Sequence, residues 1–83
     1  MIILDGKKME TCAQAYPYLK RKLDLPDWFV ENLDALYDVL TAWRGEEIQL
    51  VNLDENNEFQ RVLRGVFRDA ESSNLRLSVH IFP

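Results

Sequence analysis

Apolar and polar positions along the chain follow two periods, and each change of period marks an element. Ile2, Ile3 and Leu4, followed at once by Asp5 and Gly6, read as a short buried strand that ends in a turn. From Thr11, a suitable N-cap, the positions Cys12, Ala15, Tyr16, Leu19 and Leu23 keep a helical spacing, which predicts a helix over residues 12–22 with Cys12 facing the core. Pro17 lacks the backbone donor that a helix interior requires, so it is expected to kink this helix or delay its start. Leu25-Pro26-Asp27-Trp28-Phe29 reads as a loop with two exposed aromatics. Asn32 then caps a second helix reaching about residue 43, with Leu33, Leu36, Leu40 and Trp43 as its apolar stripe and Val39 at the margin. Arg44 and Gly45 supply its stop.

Ile48, Leu50 and Val51 form a second strand. Asp54 is expected to cap a third helix, with Glu55 and Glu58 at its positive end and Phe59, Val62, Leu63, Val66, Phe67 and Ala70 on its buried face. Gly65 inside that helix costs about 1 kcal/mol relative to alanine. Ser72-Ser73-Asn74 is read as a turn into a last strand, in which Leu75, Leu77, Val79 and Ile81 alternate. The order strand–helix–helix–strand–helix–strand calls for crossover connections and therefore a parallel sheet. Right-handed crossovers between strands consecutive in the sheet put every helix on one face. The expected architecture is a two-layer α/β domain, one domain over residues 1–83, with a three-stranded parallel sheet. Parallel strands are usually covered on both sides, so the far face of so small a sheet lacks an obvious cover.

Composition narrows the function classes. Eighty-three residues, 47% hydrophobic and 29% charged, suit one soluble domain with a modest core. The single Cys12 rules out a disulfide framework and a cysteine-based zinc site, and the glycines Gly6, Gly45 and Gly65 lie too far apart for a phosphate-cradling loop. Residues 1–5 have neither the basic start nor the apolar length of a signal peptide, and no stretch is long enough to span a bilayer. A cytoplasmic protein is the expectation. The net charge of −4 argues against nucleic acid or an anionic membrane as the direct partner. That charge is also concentrated: between Lys22 and Arg44 stand Asp24, Asp27, Glu31, Asp34 and Asp38 with no base, while the other nine acids face all ten bases.

His80 lies on the last strand, away from Cys12 in sequence, and nothing resembles a nucleophile–histidine site. The second helix carries the candidate chemistry. Asp34 and Asp38, four residues apart, share one face, where like charges oppose helix formation by a few tenths of a kcal/mol. Thr41 falls on the same face and Tyr37 borders it. A solvated helix face is one reading, with Asp34 complementing the helix dipole; it leaves Asp38, a turn further on, without a reason. A Mg²⁺ site is a second, for which no third ligand or general base can be assigned. In a third, the acids with Trp28, Phe29, Tyr37 and Trp43 make an anionic surface rimmed by aromatics, suited to a basic cleft. Core packing is an alternative role for the aromatics, Trp43 above all.

The stretch Leu25-Pro26-Asp27-Trp28-Phe29-Val30-Glu31-Asn32-Leu33-Asp34-Ala35-Leu36-Tyr37-Asp38-Val39-Leu40-Thr41 resembles the signature of the barstar family of intracellular ribonuclease inhibitors. Leu4-Asp5-Gly6 and Val66-Phe67-Arg68-Asp69-Ala70 are similar too, so the likeness spans nearly the whole chain. The resemblance implies a non-enzymatic protein without cofactor or metal, a monomer when free, whose partner is a basic, barnase-like ribonuclease. It implies that the second helix and the preceding loop plug the enzyme's active site. On that pattern Asp38 matches the acid that enters the phosphate pocket, Asp34 an acid that pairs with an enzyme arginine, and Trp28 the aromatic packed on the catalytic histidine. Tyr37, Thr41 and Trp43 match further contact positions, Asn32 belongs to the motif's core, and Asp69 matches a peripheral acid on the last helix.

The chain departs from the family's pattern in three places. Val30 stands where glycine is usual, which puts a branched side chain between the loop backbone and an enzyme. Tyr37 replaces tryptophan, and the segment between Thr41 and Phe67 is several residues shorter, so a small extra helix is expected to be absent.

Overall fold

A computed structural model describes residues 1–82 and resolves three strands and three α-helices. Strand β1 (Ile2–Asp5) runs into a 3-10 turn, Gly6–Lys8, and then helix α1 (Cys12–Lys22). Helix α2 (Leu33–Thr41), strand β2 (Ile48–Val51), helix α3 (Glu58–Ser73) and strand β3 (Val79–Ile81) follow, with no helix between β2 and α3. The sheet is wholly parallel in the order β1-β2-β3, with Ile2, Ile48 and Val79 in one row and Leu4, Leu50 and Ile81 two residues on. The α/β reading with a three-stranded parallel sheet therefore holds.

The period of two decides which face is which. Leu4, Ile48, Leu50 and Val79 are buried beneath the helices, in a core that includes Leu19, Leu36, Leu40, Leu63 and Phe67. The intervening row, Ile3, Gln49 and His80, faces outward, and His80 meets Glu47 there at 3.1 Å. The uncovered side of the sheet is thus partly polar and exposed to solvent. Edge strand β3 is tied down by α3: Glu71 accepts the Val79 N–H at 2.8 Å and Arg68 donates to the Val79 carbonyl at 3.3 Å.

Several local expectations are corrected. Pro17 sits inside α1 without ending or delaying it. The bond it cannot make is the one to the Ala13 carbonyl, and both residues are exposed, so water can satisfy that oxygen. Cys12 is exposed rather than core-facing, since it occupies the first position after the Thr11 cap. Helix α2 stops at Thr41, two residues short of Trp43. Asn57, not Asp54, caps α3, accepting the Gln60 N–H at 3.2 Å; Asp54 instead closes a turn onto the Asn56 N–H at 2.9 Å. Ser72 and Ser73 remain helical, and Leu75 lies in the loop, fully exposed, instead of opening a strand. Val62 is exposed as well, while Gln60 takes a buried place on the inner side of α3.

Asp5 accepts the Lys7 N–H at 2.9 Å and the Asn52 side-chain amide at 3.2 Å, which holds its carboxyl below the ordinary carboxylate range. A carboxylate depressed in the folded state stabilises the fold above its ordinary titration range and loses that contribution as pH falls.

An added methyl at Gly65 would meet nothing within 4 Å. Gly65→Ala is expected to stabilise the protein by about 1 kcal/mol through helix propensity and reduced unfolded-state freedom. A thermal midpoint several degrees higher is the result to look for, and an unchanged midpoint counts against it.

Candidate functional site

The loop over residues 24–32 is short of regular structure but well tied. Asp24 adopts φ 54°, a left-handed conformation that aspartate tolerates better than most residues. Behind it, Leu25 N–H bonds to the Lys20 carbonyl at 2.9 Å, and Lys20 Nζ donates to the Asp27 carbonyl at 3.3 Å. Phe29 N–H closes a turn onto Pro26 at 3.0 Å, and its ring is buried, contrary to the expectation of two exposed aromatics. That anchor leaves its neighbours outside: Trp28 is 82% exposed and Val30 61%. Among the described residues only Asp24 and Asn52 have positive φ, so Val30 sits in ordinary backbone and contributes its bulk without strain.

Asn32 Oδ1 accepts the Ala35 N–H at 2.7 Å and starts α2 as expected. Leu36 and Leu40 are fully buried, and Leu33, Tyr37, Val39 and Trp43 pack partly against the same core. This leaves Asp34 and Asp38 on the outer face, one turn apart and exposed. Among the described residues neither forms an ion pair. Asp34 lies in the first turn, where the helix dipole favours it; Asp38 has no such compensation. Thr41 Oγ1 donates to the Asp38 carbonyl at 2.9 Å, which fixes its rotamer beside the acid.

The rim of this face is held from two sides. Tyr37 Oη and Ser73 Oγ, 3.2 Å apart, link α2 to the end of α3. Asp69, exposed and one turn before Ser73, lies along the same side of α3. Trp43 Nε1 donates to the Glu46 carbonyl at 2.9 Å, so the chain folds back over the indole. A Cβ at position 45 would stand 2.7 Å from Trp43 Cζ2, which is why glycine occupies that crossing. Asn74 Nδ2 donates to the carbonyls of Leu40 and Trp43, at 3.0 and 2.9 Å, and so satisfies the open end of α2.

The structure thus gathers Asn32, Asp34, Tyr37, Asp38, Thr41 and Trp43 on or at the end of one helix, with Trp28 and Val30 in the loop leading into it. His80 is on the outward face of the sheet, away from this helix. Sequence reasoning missed Asn74 and the buried Phe29. An asparagine just beyond a helix was a signal for a cap, but not for one that serves a different helix. Among the described residues no three His, Cys, Asp or Glu side chains are placed to share a metal ion, and no helix is long and apolar enough to cross a membrane.

Comparisons with known proteins agree with this architecture. Residues 1–81 match the family described as Barstar (barnase inhibitor). A Bacillus subtilis (strain 168) protein named "Putative ribonuclease inhibitor YrdF" is 40% identical over 68 residues, covering 82% of this chain and 72% of that protein. With its parallel three-stranded sheet, its capped acidic helix and a match over nearly its full length, this chain belongs to the barstar family.

Proposed function

We propose that this protein inhibits a basic, barnase-like ribonuclease in the cytoplasm by seating the acidic face of α2 and the preceding loop in the enzyme's active site. Family membership and the inhibitor-named relative point to an inhibitor rather than a catalyst. The observation that carries the finer reading is the pair Asp34 and Asp38, exposed and without ion-pair partners on a helix whose opposite face is locked into the core.

The logic is electrostatic. A ribonuclease cleft concentrates cations to hold RNA phosphates, and rigid carboxylates can occupy those positions while offering no scissile bond. In this reading Asp38 fills the phosphate pocket and Asp34 pairs with an arginine at its edge. Trp28 stacks on the catalytic histidine, its exposed ring becoming an anchor on binding. Tyr37, Thr41 and Trp43 pack around the acids, Asn32 orders the helix start, and Asp69 adds a peripheral pair. Because Asn32, Tyr37, Thr41 and Trp43 are held by hydrogen bonds within the free protein, little ordering entropy is lost at these four on association. Val30 is the observation favouring a second reading, a barstar-fold module for a basic partner other than a ribonuclease: its exposed branched side chain keeps an enzyme further from the loop backbone than glycine does.

Salt dependence tests the steering at the centre of this proposal. Exposed charges act over about 10 Å at 0.1 M salt and about 3 Å at 1 M. Association with a small basic ribonuclease is expected to slow by about tenfold or more across that range, with dissociation changing far less. An association rate indifferent to salt would reduce the acidic segment to a solvated face. Absence of inhibition, together with capture of a non-nuclease basic protein, would favour the second reading.

A further inference from the structure

Beyond Trp43 the surface changes sign. Thr41, Trp43, Arg44, Leu75 and Arg76 line a depression of about 340 Å³ at the C-terminal end of α2, and no acidic residue lines it. Among the described residues neither Arg44 nor Arg76 forms an ion pair. Leu75, which lines the depression with them, is 101% exposed, more than any other large hydrophobic residue described. It is not on a loose tip. Asn74 is pinned by its own N–H to Glu71 and by its side chain to Leu40 and Trp43, and it accepts the N–H groups of Arg76 at 3.0 Å and Leu77 at 3.1 Å.

A single exposed leucine is ordinary in a soluble protein. A leucine held at full exposure on a pinned turn, lining one depression with two arginines that form no ion pair and a tryptophan, has the composition of a contact patch. Building on the ribonuclease-inhibitor reading, we propose that Leu75, Arg44 and Arg76 form a second contact region that takes an apolar recess edged by carboxylates on the same ribonuclease, next to its basic cleft. Two observations select this occupant. The two arginines call for carboxylates, and Thr41 and Trp43 line both this depression and the acidic face, so one partner reaching the first covers the second.

The consequence is a bipolar face, acids on α2 and cations past its end, with Asp38 about 5 Å of helix before Thr41, where α2 stops. Basic clefts resemble one another because phosphate binding demands them, and a second patch of opposite sign distinguishes one enzyme from another and fixes its orientation.

Charge reversal gives the test its sign. Against an enzyme that is basic overall, Arg44→Glu/Arg76→Glu should bind faster and tighter if long-range attraction is all that matters. Local pairing with carboxylates requires the opposite. With a secreted, basic barnase-type ribonuclease as probe, the double variant is expected to dissociate at least about tenfold faster than wild type without slower association. Leu75→Ser is expected to dissociate several-fold faster, and neither variant should move the thermal midpoint, since all three side chains are exposed. A dissociation constant within twofold of wild type, or tighter, overturns the second contact region. Asp38→Ala in the same assay separates the two ideas. Loss of binding there with an unaffected double variant leaves the inhibitor reading standing alone. A wild-type protein that neither binds nor inhibits the enzyme brings down both.

Discussion

Asp38→Ala is expected to weaken ribonuclease binding by at least about 30-fold, the roughly 2 kcal/mol that marks a dominant interface residue. The same substitution should leave the free protein as stable as wild type, or a few tenths of a kcal/mol more stable. The two halves of this expectation have one cause. In the free protein Asp38 stands one turn from Asp34, without an ion-pair partner and without the favourable helix end that Asp34 enjoys. Its charge is therefore mildly unfavourable until cations of a partner surround it. Removing it in the complex leaves those cations facing an emptied, desolvated pocket. Dissociation constants from stopped-flow kinetics, with thermal midpoints of both proteins, check the two halves together. Affinity within twofold of wild type would remove Asp38 from the proposed site.

The largest stability loss is expected at Gln60, far from the acidic face. Its side chain is buried at 1% exposure on α3. Nε2 donates to the carbonyls of Gly6 and Met9, the latter at 3.0 Å, and Oε1 accepts the Asp54 N–H at 2.7 Å. One amide thus joins the exit of β1, the turn after it and the exit of β2. Gln60→Leu has nearly the same volume; it strands the buried Met9 carbonyl and the part-buried Asp54 N–H, and leaves the Gly6 carbonyl with only the Met9 N–H at 3.0 Å. Each unsatisfied group costs about 1–3 kcal/mol, so a combined loss of about 3 kcal/mol or more is expected. Small domains of this length hold only about 4–12 kcal/mol, so about a quarter or more of the stability would go. Urea unfolding measures it directly. A loss under about 1 kcal/mol would mean that water or a rearranged turn replaces the amide. Gln60→Glu keeps the acceptor for Asp54 and loses both donors, so it should be damaging as well.

What could be read directly were features whose causes lie within a few residues. Thr11 and Asn32 cap α1 and α2 through N–H groups three positions on, and the strands at Ile2–Asp5 and Ile48–Val51 announce themselves by composition. Strand order followed from connection rules alone, because three strands separated by helices leave few alternatives. The acidic segment was legible too, since charge can be counted without knowing where it points.

Direction was not legible, because it depends on residues distant in the chain. Trp28 and Phe29 are adjacent aromatics in one loop, yet one is exposed and the other buried, a choice made by the core that Phe29 joins. Gln60 reads as a polar residue on a helix; only the approach of Gly6 and Met9, more than fifty positions earlier, gives its amide buried partners. Asn74 reads as a turn residue; in the structure it ends α3 and also closes α2, thirty-four residues before it at Leu40. Short-range hydrogen bonds, periodicity and connection length sufficed for the number and type of the elements, their parallel order and the sign of the surface, but not for the end of α2, the bounds of α3 or the start of β3. The tertiary structure alone decided which polar groups are buried, which apolar ones are left in water, and that Asp34 and Asp38 stand unpaired, because each of these depends on which distant groups pack alongside.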